Sequence, residues 1–294
     1  MELMDDGAAV TATHDGVELC RYVYRPPEPP LESPRPYFYP VRTVTGDEVS
    51  IYRPHDHVWH KGISWSLPNV GPQNFWGGPT FLRDKGYVQL DNNGTTAHKS
   101  LTLAGATVTQ HLDWITSAGS LWFQEVRTLR LFLVDDGWAL TFGTAMTNVS
   151  GDEIRIGSPT TEGRPNAGYG GLMWRGPRSF TDGTVVTPTA TGGDELMGTR
   201  APWLAFRGRH DGHGRTSTLV FVDAPTNPGH PVEWFVRSTP FACVCPAPFF
   251  SAEVPVAEEE TLSLTYGVVI ADGDRDPARL AVSCDLGGDR SSTG

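Results

Sequence analysis

A strict two-residue alternation of apolar side chains near the C-terminal end limits the fold of this chain most strongly. From Leu262 to Ile270 every second residue is apolar, the pattern of an antiparallel strand with one buried face. Earlier runs also have strand length, and Asp135-Asp136-Gly137 provides a hairpin turn between two of them. No window of about 11 residues combines a helical apolar period with helix caps. The sequence therefore predicts an all-β fold built from antiparallel strands.

The frequency of turn residues sets the expected domain organisation. The 294 residues include 33 glycines and 24 prolines, while charged residues make up 19%, a balance that favours many turns over long solvated helices. All-β proteins of this length often form one domain, so we expect a single domain over residues 1–284 and a disordered tail over residues 285–294. The stretch RPPEPPLESPRP, residues 25–36, predicts a polyproline-like connector on the surface.

Charge and cysteine content exclude several classes of partner. Lys and Arg total 23 against 34 Asp and Glu, a formal charge of −11, so nucleic acid and anionic membrane surfaces are not expected partners. No apolar run approaches the length of a membrane span, and MELMDDGAAV lacks the pattern of a signal peptide. The four cysteines, Cys20, Cys243, Cys245 and Cys284, form no CxxC pair. These features predict a reduced, cytoplasmic protein.

A histidine cluster, RPHDHVWHKG from Arg53 to Gly62, is the strongest candidate for chemistry. In an extended backbone His55 and His57 project from one face and Asp56 from the other, and a turn returns His60 to the same point. Three imidazoles in this arrangement suit zinc, iron or copper. They equally suit proton donation and substrate orientation. A third alternative is that the rings simply pack beside Trp59.

Two further segments carry charged candidates. In the run Leu121 to Val134, Glu125 and Arg127 interrupt an apolar face, and inward charges need partners. They form either an ion pair at a strand end or part of a cleft wall. Glu162 lies in the Gly-rich stretch 158–180 and is the preferred general base, because a glutamate opposite histidines suits acid–base chemistry. A solvated loop carboxylate is the alternative for Glu162.

The aromatic loops predict a binding cleft. Residues 62–86 hold Trp65 and Trp76 among glycines and prolines, and Trp174 lies in a similar loop. Such side chains stack on sugar rings or cap a core, and the sequence leaves both open. Arg237 shares a strand face with Phe235. The sequence lacks GxGxxG, GxxxxGK[ST], HExxH and GxSxG, so nucleotide-binding and serine-hydrolase functions are not indicated.

A family resemblance rests on seven segments between about Arg35 and Gly273: RPYFYPVRTVTG, RPHDHVWHKG, NFWGG, QEVRTLRL, TEG, NPGHPVEWFVRS and YGVVIADG. Together they resemble the methane oxygenase PmoA-like family, whose label implies a metal-dependent oxygenase. The resemblance implies a soluble β-sandwich protein of a kind often associated with sugar-catabolic oxidoreductases. The shape of family members looks like the two-sheet supersandwich of aldose 1-epimerases, the galactose mutarotase-like fold, in which a histidine and a glutamate transfer protons. Thr161 departs from the family pattern, which often has lysine there.

The leading hypothesis is an enzyme that acts on a sugar or sugar-like carbonyl compound by general acid–base catalysis, without a cofactor, through isomerisation, elimination or hydrolysis. The predicted site lies in a hollow between two sheets. One alternative is a mononuclear metalloenzyme of oxygenase type, with the three histidines on iron, copper or zinc; another is a non-catalytic carbohydrate-binding protein. The sequence leaves the substrate and the oligomeric state open. The assigned residues are His55, His57, His60 and Glu162 as catalytic groups, and Arg53, Asp56, Lys61, Trp65, Trp76, Glu125, Arg127, Trp174, Arg175 and Arg237 as substrate-binding groups.

Overall fold

The computed structural model describes residues 1–284 and residue 286, and β-strands dominate it. In chain order the strands are β1 (Glu2–Asp5), β2 (Ala9–His14), β3 (Val17–Val23), β4 (Tyr37–Val41), β5 (Ile63–Ser66), β6 (Asn69–Val70), β7 (Thr80–Leu82), β8 (Gly86–Val88), β9 (Thr95–Ala104), β10 (Thr107–Ile115), β11 (Leu121–Val134), β12 (Gly137–Asn148), β13 (Ile154–Gly157), β14 (Gly171–Arg175), β15 (Thr184–Val186), β16 (Thr191–Gly192), β17 (Trp203–Arg209), β18 (Thr216–Asp223), β19 (Trp234–Arg237), β20 (Cys243–Pro246), β21 (Val254–Val256) and β22 (Thr261–Asp272). The helical elements are α1 (Pro277–Ser283) and 3₁₀ turns at Pro30–Glu32, Arg178–Phe180 and Asp194–Leu196.

Most strands belong to two large antiparallel sheets. The eight-stranded sheet has the order β1-β2-β3-β4-β5-β14-β20-β19, and the nine-stranded sheet has the order β16-β15-β17-β18-β22-β12-β11-β10-β9. Two small sheets, β21-β13-β6 and β7-β8, lie outside them. Val134 pairs with Gly137, so the predicted hairpin turn at Asp135-Asp136 is present. The all-β prediction is confirmed.

The core lies between the two large sheets. Trp65 of the eight-stranded sheet stacks on Phe142 and Tyr266 of the nine-stranded sheet, with ring centroids 5.9 and 6.2 Å apart. Trp174 of the eight-stranded sheet also contacts Phe221 of the nine-stranded sheet, with ring centroids 5.7 Å apart and the rings tilted by 45°. Both tryptophans are fully buried. The predicted substrate contacts of Trp65 and Trp174 are therefore corrected: these side chains hold the sheets together, because their strand parity directs them inward.

Glu125 and Arg127 also lie in this core. Arg127 donates from Nε and Nη2 to the two carboxylate oxygens of Glu125 at 2.8 and 3.0 Å. Glu125 further accepts from Trp114 Nε1 and Thr144 Oγ1, and Arg127 Nη1 donates to Tyr22 Oη at 3.2 Å. The inward direction predicted for both charges is confirmed. Their assignment to a cleft wall and to substrate binding is not, because both are 1% exposed within the sandwich.

The Pro-rich stretch 25–36 is not wholly a surface connector. Glu32 and Arg35 are 1% and 2% exposed. Arg35 donates to the carbonyl oxygens of Glu32 and Trp59 at 2.9 and 2.8 Å and to Ser66 Oγ at 2.6 Å. Its guanidinium thus supplies the hydrogen bonds that several loop carbonyls would otherwise lack, and it ties this stretch to the histidine loop.

The α-helix Pro277–Ser283 was not predicted. Asp276 caps it by accepting from the Ala278 amide, and Leu280 and Ala281 pack on the outer face of the nine-stranded sheet. Seven residues are too few to display a helical period. No helix among the described residues is long and apolar enough to cross a membrane, and the four cysteines are free and buried. The predicted tail, residues 285–294, lies outside the described residues except for residue 286.

Candidate active site

A cleft of about 570 Å³ lies on the outer face of the eight-stranded sheet. Strand alternation decides which residues reach it. Phe235, Arg237 and Cys243 line the cleft, whereas Trp234 and Val244, one position away, belong to the inter-sheet core. The expectation of a hollow between the two sheets is therefore corrected, since that space is filled by the apolar core.

Two stacked imidazoles form one wall of the cleft. The loop that carries them is closed by the Arg53 amide, which donates to the His60 carbonyl, and contains successive turns in which the His57 amide donates to Pro54 and the His60 amide to His57. These turns stack the His57 and His60 rings with centroids 4.6 Å apart at 18°. Both rings line the cleft. The sequence prediction that His57 and His60 face a common point is supported by this geometry.

His57 is oriented by the carboxylate of Asp56. His57 Nδ1 lies 2.9 Å from Asp56 Oδ2. The Asp56 carboxylate also accepts hydrogen bonds from Arg175 Nη2 at 3.0 Å and from Arg178 Nη2 at 2.9 Å. Burial disfavours the carboxylate, but the hydrogen bonds from His57 and Arg175 outweigh it and hold the pKa of Asp56 well below its usual range. An ionised Asp56 requires the proton of His57 on Nδ1, which leaves Nε2 with a lone pair in the neutral ring.

His60 has the opposite tautomer. Arg175 Nη1 lies 2.8 Å from His60 Nδ1, and a guanidinium can only donate, so the Nδ1 atom accepts and the proton of the neutral ring is on Nε2. Burial, followed by the positive charge of Arg175, lowers the pKa of His60 well below its usual range. Arg175 itself is 1% exposed and lies over the Phe241 ring at 3.7 Å. Arg175 thus contacts His60 and Asp56 and is not among the described residues that line the cleft, so its predicted substrate contact is not seen.

His55 does not join the other two imidazoles. Its Nδ1 accepts from Arg178 Nη2 at 2.9 Å, and it is not among the residues that line the cleft. Within residues 1–284 and 286, no group of three or more His, Cys, Asp or Glu side chains is placed to hold a metal ion. A guanidinium bound to His55 and another bound to His60 also oppose a cation by charge repulsion. The side chains present thus do not fit the predicted three-histidine metal site.

Arg53 and Lys61 hold the loop in place from behind. Both donate to Glu32: Arg53 Nη2 at 2.6 Å, and Lys61 through a short contact to Oε2. Lys61 Nζ also lies 3.5 Å from a Glu28 oxygen. Because the Lys61 side chain is 3% exposed and Arg53 is directed to Glu32, the predicted substrate contacts of these two residues are corrected to a structural role.

The NFWGG motif builds the adjacent aromatic wall. Asn74 Oδ1 accepts from the amides of Trp76 and Gly77 at 2.8 and 2.9 Å, which fixes Trp76 in the cleft lining. Gly77 and Gly78 have φ values of +101° and +66°, and a Cβ at either would approach Trp59 to 2.6 Å. Only glycine combines that backbone with this close packing. The predicted position of Trp76 in a cleft is thereby supported.

The opposite wall comes from residues that sequence reasoning largely missed. Tyr169 packs on Trp76 and Phe235, with centroids 4.7 and 5.5 Å apart. Its hydroxyl oxygen lies 2.9 Å from that of Tyr87, which also accepts from Arg164 Nη1. The missed lining residues include Tyr87, Arg164, Tyr169 and Phe241. Arg164, Tyr169 and Phe241 reach the cleft from loops, where no strand parity indicates their direction, and Tyr87 reaches it from β8, whose three residues are too few to display an alternation.

Arg237 and Glu162 were both predicted to lie in the site, but only Arg237 lines the cleft. Arg237 lines the cleft and donates to Asp194 Oδ2 at 3.0 Å. Glu162 is half-buried, but the cleft lining formed by the described residues does not include it. Two positions later in the same loop, Arg164 does reach the cleft. The expected pairing of Glu162 with the histidines is therefore not formed.

Comparison with known proteins places the chain in a family. Residues 9–285 match the profile of DUF6807, described as a family of unknown function. The chain belongs to DUF6807. No curated protein matches it. This family match carries no oxygenase assignment, so the resemblance of the DUF6807 chain to the methane oxygenase PmoA-like family stays a prediction.

Solved structures similar to the DUF6807 chain include sugar-active enzymes. A galactose mutarotase related enzyme from Lactobacillus acidophilus has a TM-score of 0.44 and 9% identity, over 92% of this chain and 99% of that one. The alpha-galactosidase from Lactobacillus brevis has a TM-score of 0.39 and 9% identity, and a GH36 alpha-galactosidase from Geobacillus stearothermophilus has 0.37 and 10%. The alignments with the two alpha-galactosidases each cover 92% of this chain. They cover 39% of the Lactobacillus brevis chain and 40% of the Geobacillus stearothermophilus chain.

Because His60 is buried, we expect the free energy of unfolding of the DUF6807 protein to decrease as the pH falls below about 6.5. An unfolded chain protonates its imidazoles near pH 6.5, whereas burial and Arg175 hold the pKa of folded His60 well below that value. The unfolded state then binds more protons, so the free energy of unfolding falls with pH, by at most about 1.4 kcal/mol per unit for this group.

Urea denaturation between about pH 7 and 5 measures this slope. Burial lowers the pKa values of His98 and His210 as well, so the contribution of His60 is the difference between the wild type and His60→Gln. We expect a shallower slope in the variant. Equal slopes would contradict the assignment of a neutral His60.

Proposed function

We propose that this protein is an enzyme that transfers protons on a carbohydrate or a related carbonyl compound, with His57 as the general base. One observation carries the proposal: two stacked imidazoles line one cleft with complementary tautomers. In its neutral form His57 presents a lone pair on Nε2, because the Asp56 carboxylate accepts the proton on Nδ1. His60 presents a protonated Nε2 because Arg175 donates to its Nδ1. A proton acceptor and a hydrogen-bond donor thus lie side by side.

The groups support abstraction of a proton from carbon next to a carbonyl. His57 Nε2 takes the proton, the C–H electron pair forms a carbon–carbon double bond, and the carbonyl π pair moves to oxygen. The resulting oxyanion accepts a hydrogen bond from the neutral His60 Nε2–H, and Asp56 stabilises the imidazolium of His57. Delivery of a proton to the other face of the same carbon re-forms the carbonyl and completes an epimerisation. In an isomerisation, the proton of the hydroxyl on that carbon moves to the oxyanion, the new carbonyl forms there, and His57 returns its proton to the former carbonyl carbon. In an elimination, the oxyanion re-forms the carbonyl, the double bond shifts to the β-carbon, and the β-substituent leaves with its bonding electron pair.

The shape and lining of the cleft support a carbohydrate substrate. Its volume of about 570 Å³ is typical of small-molecule sites. Trp76, Tyr169 and Phe241 offer flat apolar surfaces to a sugar ring. Hydrolysis, one of the reactions considered from the sequence, is less well supported, because glycoside hydrolysis ordinarily uses two carboxylates and the described lining contains no Asp or Glu. An oxygenase function lacks support for a similar reason, since the three predicted ligands do not converge.

Exchange of solvent deuterium tests the proposal. Purified protein is incubated in D₂O with a panel of aldoses, ketoses and sugar acids, and NMR follows the C–H signals and any new anomers or unsaturated products. We expect conversion of at least one compound by the wild type and a decrease of about 100-fold or more in His57→Ala. Circular dichroism of the variant checks that it is folded.

Two results would count against this function. Wild-type rates in folded His57→Ala would remove His57 as the base. A sugar that binds saturably but is not converted by the wild type would identify a carbohydrate-binding protein instead.

A further inference from the structure

The charge of the cleft is opposite to that of the whole chain. Among the described residues that line it, Arg164 and Arg237 carry positive charge, the imidazoles of His57 and His60 act as neutral groups in the proposed function, and Asp and Glu are absent. The chain as a whole has a formal charge of −11. A cationic cleft in an acidic protein raises the local concentration of anions selectively.

Arg164 has no compensating carboxylate among the described residues. Its guanidinium donates to Tyr87 Oη and lies 4.8 Å from the centre of that ring. Burial raises the pKa of the Tyr169 hydroxyl well above its usual range, so the adjoining phenol is neutral and supplies no charge. The positive charge of Arg164 is therefore directed at a lined cavity and is left for a ligand to neutralise.

Arg237 is held in position yet keeps free donors. Asp194 Oδ2 accepts from Nη1 of Arg237 at 3.0 Å. Asp194 Oδ1 is shared, because it accepts from the amides of Ser238 and Thr239 at 2.6 and 3.1 Å. An arginine has five N–H donors, so this contact orients the guanidinium and leaves other N–H groups able to donate to a ligand.

The rear of the cleft is also short of negative charge. Asp56 serves two guanidinium groups, Arg175 Nη2 at 3.0 Å and Arg178 Nη2 at 2.9 Å. One carboxylate thus faces two arginines, and the potential behind His57 and His60 stays positive.

We infer that the substrate carries an oxyanion, a carboxylate or a phosphate, that binds Arg164 and Arg237 while its carbohydrate part lies against His57. The inference rests on the proposed function for the position of the reacting carbon, but the anion site is measured by binding alone. Guanidinium groups bind both anions through paired N–H···O contacts.

Calorimetric titration with matched probes tests it. Glucose, glucuronate and glucose 6-phosphate share one ring and differ in charge, and inorganic phosphate and acetate report on the anion alone. We expect glucuronate or glucose 6-phosphate to bind at least about tenfold more tightly than glucose, and Arg164→Gln to remove that difference. Preference between the two anionic sugars identifies carboxylate or phosphate as the source.

The control for lost charge is Arg155→Gln. Arg155 is exposed (58%), pairs with Glu153 at 3.0 Å and is absent from the cleft lining, so its replacement should leave binding unchanged. Arg237→Gln is the second cleft variant and should weaken anionic probes in the same direction as Arg164→Gln. Equal binding of glucose and the anionic sugars, unchanged binding in Arg164→Gln, or no saturable binding of any anionic probe would overturn the inference.

Turnover separates this inference from the proposed function. Arg164-dependent anion binding without conversion of any sugar supports the anion site and removes the catalytic proposal. Conversion of neutral sugars that needs His57 but not Arg164 supports catalysis and overturns the anion site.

Discussion

Replacing Asp56 with asparagine is expected to lower kcat by about 10²- to 10⁴-fold with little change in KM. Arg175 and Arg178 donate to the carboxylate oxygens, so the single oxygen of the asparagine amide is drawn towards a guanidinium and its NH₂ group faces His57. An NH₂ donor requires an unprotonated Nδ1, which moves the His57 proton to Nε2. The base then has no lone pair at the atom that faces the substrate.

A matched control separates this effect from a general loss of an ion pair. Asp47 also binds a histidine and an arginine, His213 Nε2 at 2.9 Å and Arg215 Nη2 at 2.8 Å, but it lies outside the cleft lining. We expect Asp47→Asn to keep wild-type kcat. Nitrogen-15 NMR of the imidazoles reports the tautomer directly. Retention of the Nδ1 proton on His57 in Asp56→Asn, or equal losses of kcat in both variants, would show that Asp56 does not position the base.

Replacing Arg127 with methionine is expected to lower the free energy of unfolding by about 3–5 kcal/mol. The change leaves the Glu125 carboxylate in the core with two neutral donors, Trp114 Nε1 and Thr144 Oγ1, and without its cation. An unpaired charge in that position is costly because the surroundings are apolar and closed to water. Urea denaturation at neutral pH measures the loss.

Two further variants define its origin. Removal of both charges in Glu125→Leu/Arg127→Met should recover most of the loss, because two apolar side chains replace the pair without an orphaned ion. Arg155→Met removes an arginine from an exposed pair with Glu153, whose side chains are 58% and 49% exposed, and should cost less than about 1 kcal/mol. A loss in Arg127→Met as small as that in Arg155→Met would mean that the buried pair contributes little.

Strand patterns made much of the fold predictable. The alternation from Leu262 to Ile270 corresponds to β22, and the inward direction of Glu125 and Arg127 follows from the same two-residue parity. Such patterns fix which face of a strand is buried, because successive side chains point to opposite sides. The short helix α1 was missed because its seven residues depend on the Asp276 cap and on packing against a sheet distant in sequence.

The candidate site was predicted less completely for a related reason. Parity identifies two faces of a strand but does not say which of them meets the second sheet. Trp174 and Arg175 are neighbours in β14, yet one is in the core and the other is behind His60. Glu162 was chosen by residue type, whereas the loop that carries it presents Arg164 to the cleft instead.

By itself, then, the sequence determined the all-β class and the positions of the main strands, and it selected the segment from Arg53 to Gly62 as the candidate for chemistry, because these depend on local periodicity and composition. Only the tertiary structure decided that His57 and His60 form a pair without His55, and that Arg164 and Arg237 reach a cleft whose described lining contains no carboxylate. The physical reason is that tautomer and charge are set by side chains from distant segments: Arg175 fixes the proton of His60 from 115 positions away, and no local pattern encodes that contact.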